Sequence, residues 1–158
     1  MSLKDKKRIS CPNSDRVLSK IAHGMNAICD CLDHVHDTNC GGCCYVAYCL
    51  TKLLRRDNIK YHLVIISYDE IEEGDDISCF QDCYTHYAIQ IGNFSINRGD
   101  YDEDDCYVRY LDNPYPNDIK EHYEKCSWNC CYNPNENDFI WKTLKLFYDN
   151  ITKDLRKG

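Results

Sequence analysis

Apolar residues recur at near-helical spacing in the first quarter of the chain (Val17, Ile21, Ile28, Leu32, Val35), which predicts a helix over 13–36. Pro12 and Ser14 stand ahead of it as start signals. The segment His36–Gly42 is polar, holds two glycines and breaks the pattern. A second helix is predicted from Cys43 to Arg56, ended by Asp57 and Asn58. Tyr61–Ser67 (YHLVIIS) is a β-branched run of strand length. Thr85–Ile91 and Phe94–Arg98 alternate on either side of Gly92-Asn93, the signature of a tight hairpin. Tyr107–Leu111 is a further short strand, and Pro114, Pro116 and Pro134 punctuate the stretch beyond it. Asn135–Leu155 closes the chain as an amphipathic helix with Phe139, Ile140, Leu144, Phe147 and Ile151 apolar.

Helices, then antiparallel strands, then a helix predict an α+β fold in one domain spanning residues 1–158, with residues 1–12 as a flexible tail. The net charge is −7, and an acidic surface repels phosphate backbones, so no nucleic-acid partner is expected. Lys4–Arg8 and Lys153–Lys157 hold the clustered cations and read as solvated ends. The amino end lacks an apolar signal region, and no run reaches the roughly 20 apolar residues of a membrane span. A soluble, cytoplasmic protein with no membrane partner is therefore expected. In a reducing compartment its 13 cysteines are packed thiols, metal ligands or catalytic groups, not disulfides.

Cys40-Gly41-Gly42-Cys43-Cys44-Tyr45-Val46-Ala47 opens the second helix. A thiol at a helix amino terminus faces the positive end of the dipole, which favours thiolate, the nucleophilic form. The glycines let a substrate approach and present backbone N–H groups to an oxyanion. Cys43 shares a helix face with Ala47, Leu50 and Leu54 and packs inward, whereas Cys44 shares a more exposed face with Tyr48 and Arg55. On this segment alone, a nucleophile and a pair of packed thiols are equal readings. The hairpin separates them. With Gly92-Asn93 as the turn, Ile91 pairs with Phe94 and Ala88 with Asn97. One face carries Tyr87, Ile89, Ile91, Phe94 and Ile96. The other carries His86, Ala88, Gln90, Ser95 and Asn97. His86 and Asn97 are then diagonal neighbours about 7 Å apart, and Asn97 is placed to orient the imidazole. Asp100 falls on the opposite face.

The segment C-G-G-C-C-Y-V-A resembles the nucleophile helix of papain-like cysteine peptidases, C-G-S-C-W-A-F-A. Together with His86–Asn97 it is similar to small bacterial and phage thiol hydrolase-like proteins, which carry G-G-C-Y-x-F-A and then H-x-x-x-x-I-G-D-x-Y-x-D. The resemblance covers residues 39–100. It implies a papain-like core with Cys43 as nucleophile, His86 as general base and Asn97 as orienting residue. It implies a thiolate–imidazolium pair that hydrolyses a peptide, isopeptide or other amide, or transfers its acyl group to an amine, without a cofactor. The oxyanion glutamine of papain falls at Asp37, which leaves the Cys43 N–H and the Asn39 side chain as donors, with Cys44 and Gln90 as further cleft residues. Two other readings stand beside this one. Cys79, Cys83, Cys126 and Cys130 form two pairs that suit a structural zinc site in a Cys-rich interaction module. A non-catalytic binding protein on the same fold is the other, with acidic loops at 69–76 and 100–105.

Overall fold

The computed structural model describes residues 7–36, 38, 42–67, 86–99, 101, 104–125 and 134–157. These form a mixed α+β fold of four α-helices and a four-stranded antiparallel sheet. The elements are β1 (Arg8–Ile9), α1 (Asp15–His36), α2 (Cys43–Arg56), β2 (His62–Ser67), β3 (His86–Ile91), β4 (Phe94–Ile96), β5 (Tyr107–Asp112), α3 (Pro116–Lys125), α4 (Asn137–Thr152) and β6 (Arg156–Lys157). Among the described residues, no helix is long and apolar enough to cross a membrane.

Local chemistry sets the helix ends. The Ser14 hydroxyl accepts from the Val17 N–H at 3.4 Å, so α1 begins at Asp15 behind a serine cap. At the far end of α2, Asn58 takes φ +58°, its N–H donates to Arg55 O, and the Ile59 N–H donates to Leu54 O. This paired closure reverses the chain after the helix, and asparagine tolerates the left-handed conformation it needs.

The sheet order is β4-β3-β2-β5, every pair antiparallel. Ile91 pairs with Phe94 and Ile89 with Ile96 across Gly92-Asn93, the register expected from the hairpin pattern. Gly92 carries φ +57°, which favours glycine, and a Cβ there would lie 2.8 Å from Leu18 Cδ1, so any side chain would also push Leu18 aside. The helices pack on one face of the sheet. Leu63, Ile65, Tyr87, Ile89, Ile91 and Ile96 meet residues of all four helices in the main core. The other face holds a smaller cluster, Val64, Ile66 and Ala88, covered in part by Tyr101, Cys106 and Val108. β2 is thus buried on both sides, the reason its apolar run is continuous and not alternating.

Three expectations change. The two chain ends are not both solvated tails: Arg8–Ile9 pairs with Arg156–Lys157, and Arg156 grips Asp57 with two bonds of 2.7 Å. The prolines after β5 do not simply mark a loop, because Pro116 is the first residue of α3. A helix's first position has no intrahelical use for an N–H, so proline fits there. α3 shows no apolar stripe in sequence; among its described side chains, Ile119 joins the core. Finally, Val35, Phe139 and Phe147 are exposed although each fits an apolar period, while α4 is buried through Ile140, Leu144, Tyr148 and Thr152.

Candidate active site

The course of α2 determines which residues meet. The helix packs along β3. Its carboxyl end is tied to one end of the sheet, where Arg55 donates from Nε to Tyr61 Oη (3.0 Å) and from Nη2 to Asn113 O (2.9 Å). Those partners flank the His62–Asp112 pair. Twelve residues of helix, about 18 Å, then carry Cys43 to the opposite end, where His86 opens β3 opposite Ile66. Cys43 and His86 thus lie at the same end of the molecule.

Cys43 is buried and occupies the first position of α2. Gly42 precedes it without a side-chain cap, and the first turn contains no acidic residue. No carboxylate of that turn offsets the positive end of the dipole. Burial pushes Cys29 up to about 12, helped by the charge of Asp30, and pushes Cys49 up to about 12 against a hydrogen bond from Tyr45. Both therefore stay in the protonated, weakly nucleophilic thiol form at neutral pH.

His86 is 2% exposed. Its Nε2 lies 2.6 Å from the main-chain oxygen of Asn97. A carbonyl only accepts, so the proton sits on Nε2, and the neutral ring keeps its lone pair on Nδ1. Nδ1 is buried and has no hydrogen-bond partner among the described residues. Burial pushes the imidazole below its ordinary value, opposed by the Asn97 carbonyl and the negative charge of Asp33. The ring stacks on Tyr101 at 4.9 Å. Strand alternation gives Tyr87 to the helix side and His86, with Ala88 and Tyr101, to the other. The imidazole therefore reaches the α2 side only around the end of the sheet, where β3 begins.

Asn97 is next to His86 as expected, but its main chain makes the contact with Nε2. The residue has φ +62°, a conformation asparagine tolerates better than most. Cys44 is not the more exposed of the two thiols: it is 4% exposed and its Sγ points at Ile119 O, 3.6 Å away. The unpredicted helix α3 covers it. Gln90 is four residues along β3, about 13 Å from His86, and its amide donates to Gly92 O at 3.0 Å; it lies away from this end. Asn39, Asp37, Asp100 and the four candidate zinc ligands Cys79, Cys83, Cys126 and Cys130 lie outside the described residues. Among the described residues, no three His, Cys, Asp or Glu side chains gather as a metal site.

Sequence reasoning passed over Tyr101, Asp33 and Asn26. Asn26 bonds to Ser95 O (2.7 Å) and to the Asn97 N–H (2.8 Å). Its signal was an asparagine, a poor helix former, inside a helix beside the core residue Met25. No family model, curated protein or solved structure significantly matches this chain.

Proposed function

We propose that the protein is a papain-like cysteine-nucleophile hydrolase or acyltransferase acting on amide bonds through Cys43 and His86. The observation that carries this reading is the buried imidazole with Nε2 committed to a carbonyl and Nδ1 without a partner among the described residues, at the end of the sheet where α2 presents a thiol at its first position. Burial favours neutral imidazole in the free protein, so the resting state is thiol plus base in place of a preformed ion pair. Nδ1 takes the Cys43 proton as sulfur attacks the amide carbon. The tetrahedral intermediate collapses, the imidazolium returns the proton to the leaving amine, and a thioester remains. Water or a second amine, deprotonated by the same nitrogen, releases the acyl group. Nucleophile and base are both side chains, so the reaction needs no cofactor.

The test is alkylation with stoichiometric iodoacetamide at neutral pH, with the modified cysteines mapped by mass spectrometry. Cys43 is expected to react ahead of the exposed Cys11 and Cys31 and to slow by about 100-fold in His86→Ala. Equal rates in the two proteins would rule the reading out.

The Tyr101 stack supports a second reading, a non-catalytic binding protein in which His86 ties β3 to the segment after β4. There, His86→Ala lowers stability and leaves Cys43 reactivity unchanged.

A further inference from the structure

We infer that Asn26 is a positioning residue for His86, acting through the main chain of Asn97. The bonded ladder between β3 and β4 ends at the Ile89–Ile96 pair. One residue further on, the chain turns into the left-handed conformation of Asn97, and its carbonyl must point at the imidazole. The ladder no longer fixes the main chain there. Asn26 fixes the peptide that leads into Asn97, Ile96–Asn97, from outside the sheet. Its Oδ1 accepts from the Asn97 N–H at 2.8 Å, and its Nδ2 donates to Ser95 O at 2.7 Å. One carboxamide therefore straddles Ile96 and holds the main chain on both sides of it. Only one orientation of the amide satisfies both bonds, because Ser95 O cannot donate and the Asn97 N–H cannot accept.

The mounting is rigid. Asn26 sits mid-way along the 22-residue α1, whose neighbouring Met25 and Cys29 are buried in the main core. The chain of contacts runs from α1 through the Asn26 amide to the Asn97 N–H, and across the Asn97 Cα to the carbonyl that faces His86 Nε2. Its consequence is the tautomer. While the Asn97 carbonyl stays in line, the proton is kept on Nε2 and the lone pair on Nδ1. When the peptide is free to rotate, both neutral tautomers become populated, and those with Nδ1–H cannot take a proton from a thiol.

The kinetic part rests on the proposed role of His86 as base; the tautomer part does not. The experiment is long-range 1H–15N correlation of histidine-labelled protein, with His86→Ala used for assignment, alongside iodoacetamide labelling of Cys43. In the unmodified protein His86 is expected as the Nε2–H form. Asn26→Ala is expected to show a mixed population and about tenfold slower labelling of Cys43. Asn26→Asp keeps the acceptor for the Asn97 N–H and is expected to keep the Nε2–H form. It also decides the matter if the alanine variant does not fold, since loss of that form in Asn26→Asp overturns the inference. Thr51→Ala, which removes a hydroxyl bonded to Tyr48 O within α2, is the control for general loosening. A mixed tautomer population in that control, or an unchanged one in Asn26→Ala, overturns the inference. Slow Cys43 labelling in the unmodified protein counts against the proposed function only, and the tautomer populations then decide the role of Asn26 alone.

Discussion

The two ends of the sheet are built on opposite principles. At the end where α2 finishes, charge is matched closely. Arg156 holds Asp57 through two bonds, Arg56 reaches Asp57 at 3.3 Å and Asp149 at 2.6 Å, and Arg55 joins Tyr61 to Asn113. Burial opposes ionisation of Asp57, but the hydrogen bond from Arg156 and the charges of Arg56 and Arg156 outweigh it and hold the carboxyl below its usual value. At the end where α2 begins, a buried histidine has one nitrogen bonded and the other without a partner among the described residues, and burial depresses its basicity. A buried polar atom without a partner costs stability, about 1–3 kcal/mol. Both ends hold such an atom, Asn113 Oδ1 at the matched end and His86 Nδ1 at the other; what distinguishes His86 is that its atom belongs to a ring that titrates near neutrality.

The largest effect should come from breaking the matched end. Asp57→Ala takes from Arg156 its only carboxylate partner among the described residues and is expected to lower unfolding free energy in urea by about 3–5 kcal/mol, while Cys43 in the remaining folded protein alkylates at its original rate. A parallel loss of reactivity would mean that the two ends are not independent. His86→Ala inverts this outcome, with about 100-fold slower labelling of Cys43 and a smaller change in the urea midpoint. Next in size is Asn97, where main-chain and side-chain roles separate. Asn97→Gly retains the left-handed φ and is expected to label within about threefold of the original, whereas Asn97→Val strains the backbone and costs about 1–2 kcal/mol. If glycine abolishes labelling as completely as His86→Ala, the asparagine side chain is the orienting group.

The smallest effects are in the pH dependence of stability. The folded value of His86 lies below its ordinary 6.5. The unfolded chain therefore takes up the proton first, and this contribution is present above about pH 6.5 and lost as pH falls below it. Asp57 and Asp149 are both lowered; for Asp149, burial is outweighed by hydrogen bonds from Lys145 and Arg56. Their contribution is present above about pH 3.9 and is lost as pH falls through the folded values. Chemical denaturation across this range should show two declines. His86→Gln is expected to remove the upper one only, and a single decline in the unmodified protein would show that the histidine is not depressed.

The chain pattern was most informative where one period dominated. α1, α2 and the β3–β4 register follow from spacing alone, because a 3.6-residue or two-residue period leaves one face to bury. Pattern was silent on α3, whose exposed sequence offers Ile119 to the core and whose proline reads equally as a loop or a helix start. It was misleading at Cys44, since the face that α3 covers cannot be recognised from α2 alone. The same holds at the chain ends, where the basic run around Arg156 is a solvated tail until Asp57 is folded against it.

For the candidate site, the sequence by itself determined a thiol at the first position of a helix and a histidine and an asparagine on one face of a hairpin. Those are consequences of local periodicity and turn chemistry. Only the tertiary structure decided that the main-chain oxygen of Asn97 meets His86, that Asn26 on a distant helix bonds the Asn97 N–H and Ser95 O, and that Nε2 is the nitrogen facing the carbonyl. Each depends on where one segment's hydrogen-bonding groups fall relative to a segment 11 to 71 residues away, and side-chain patterning along the chain carries no record of how peptide groups are aimed.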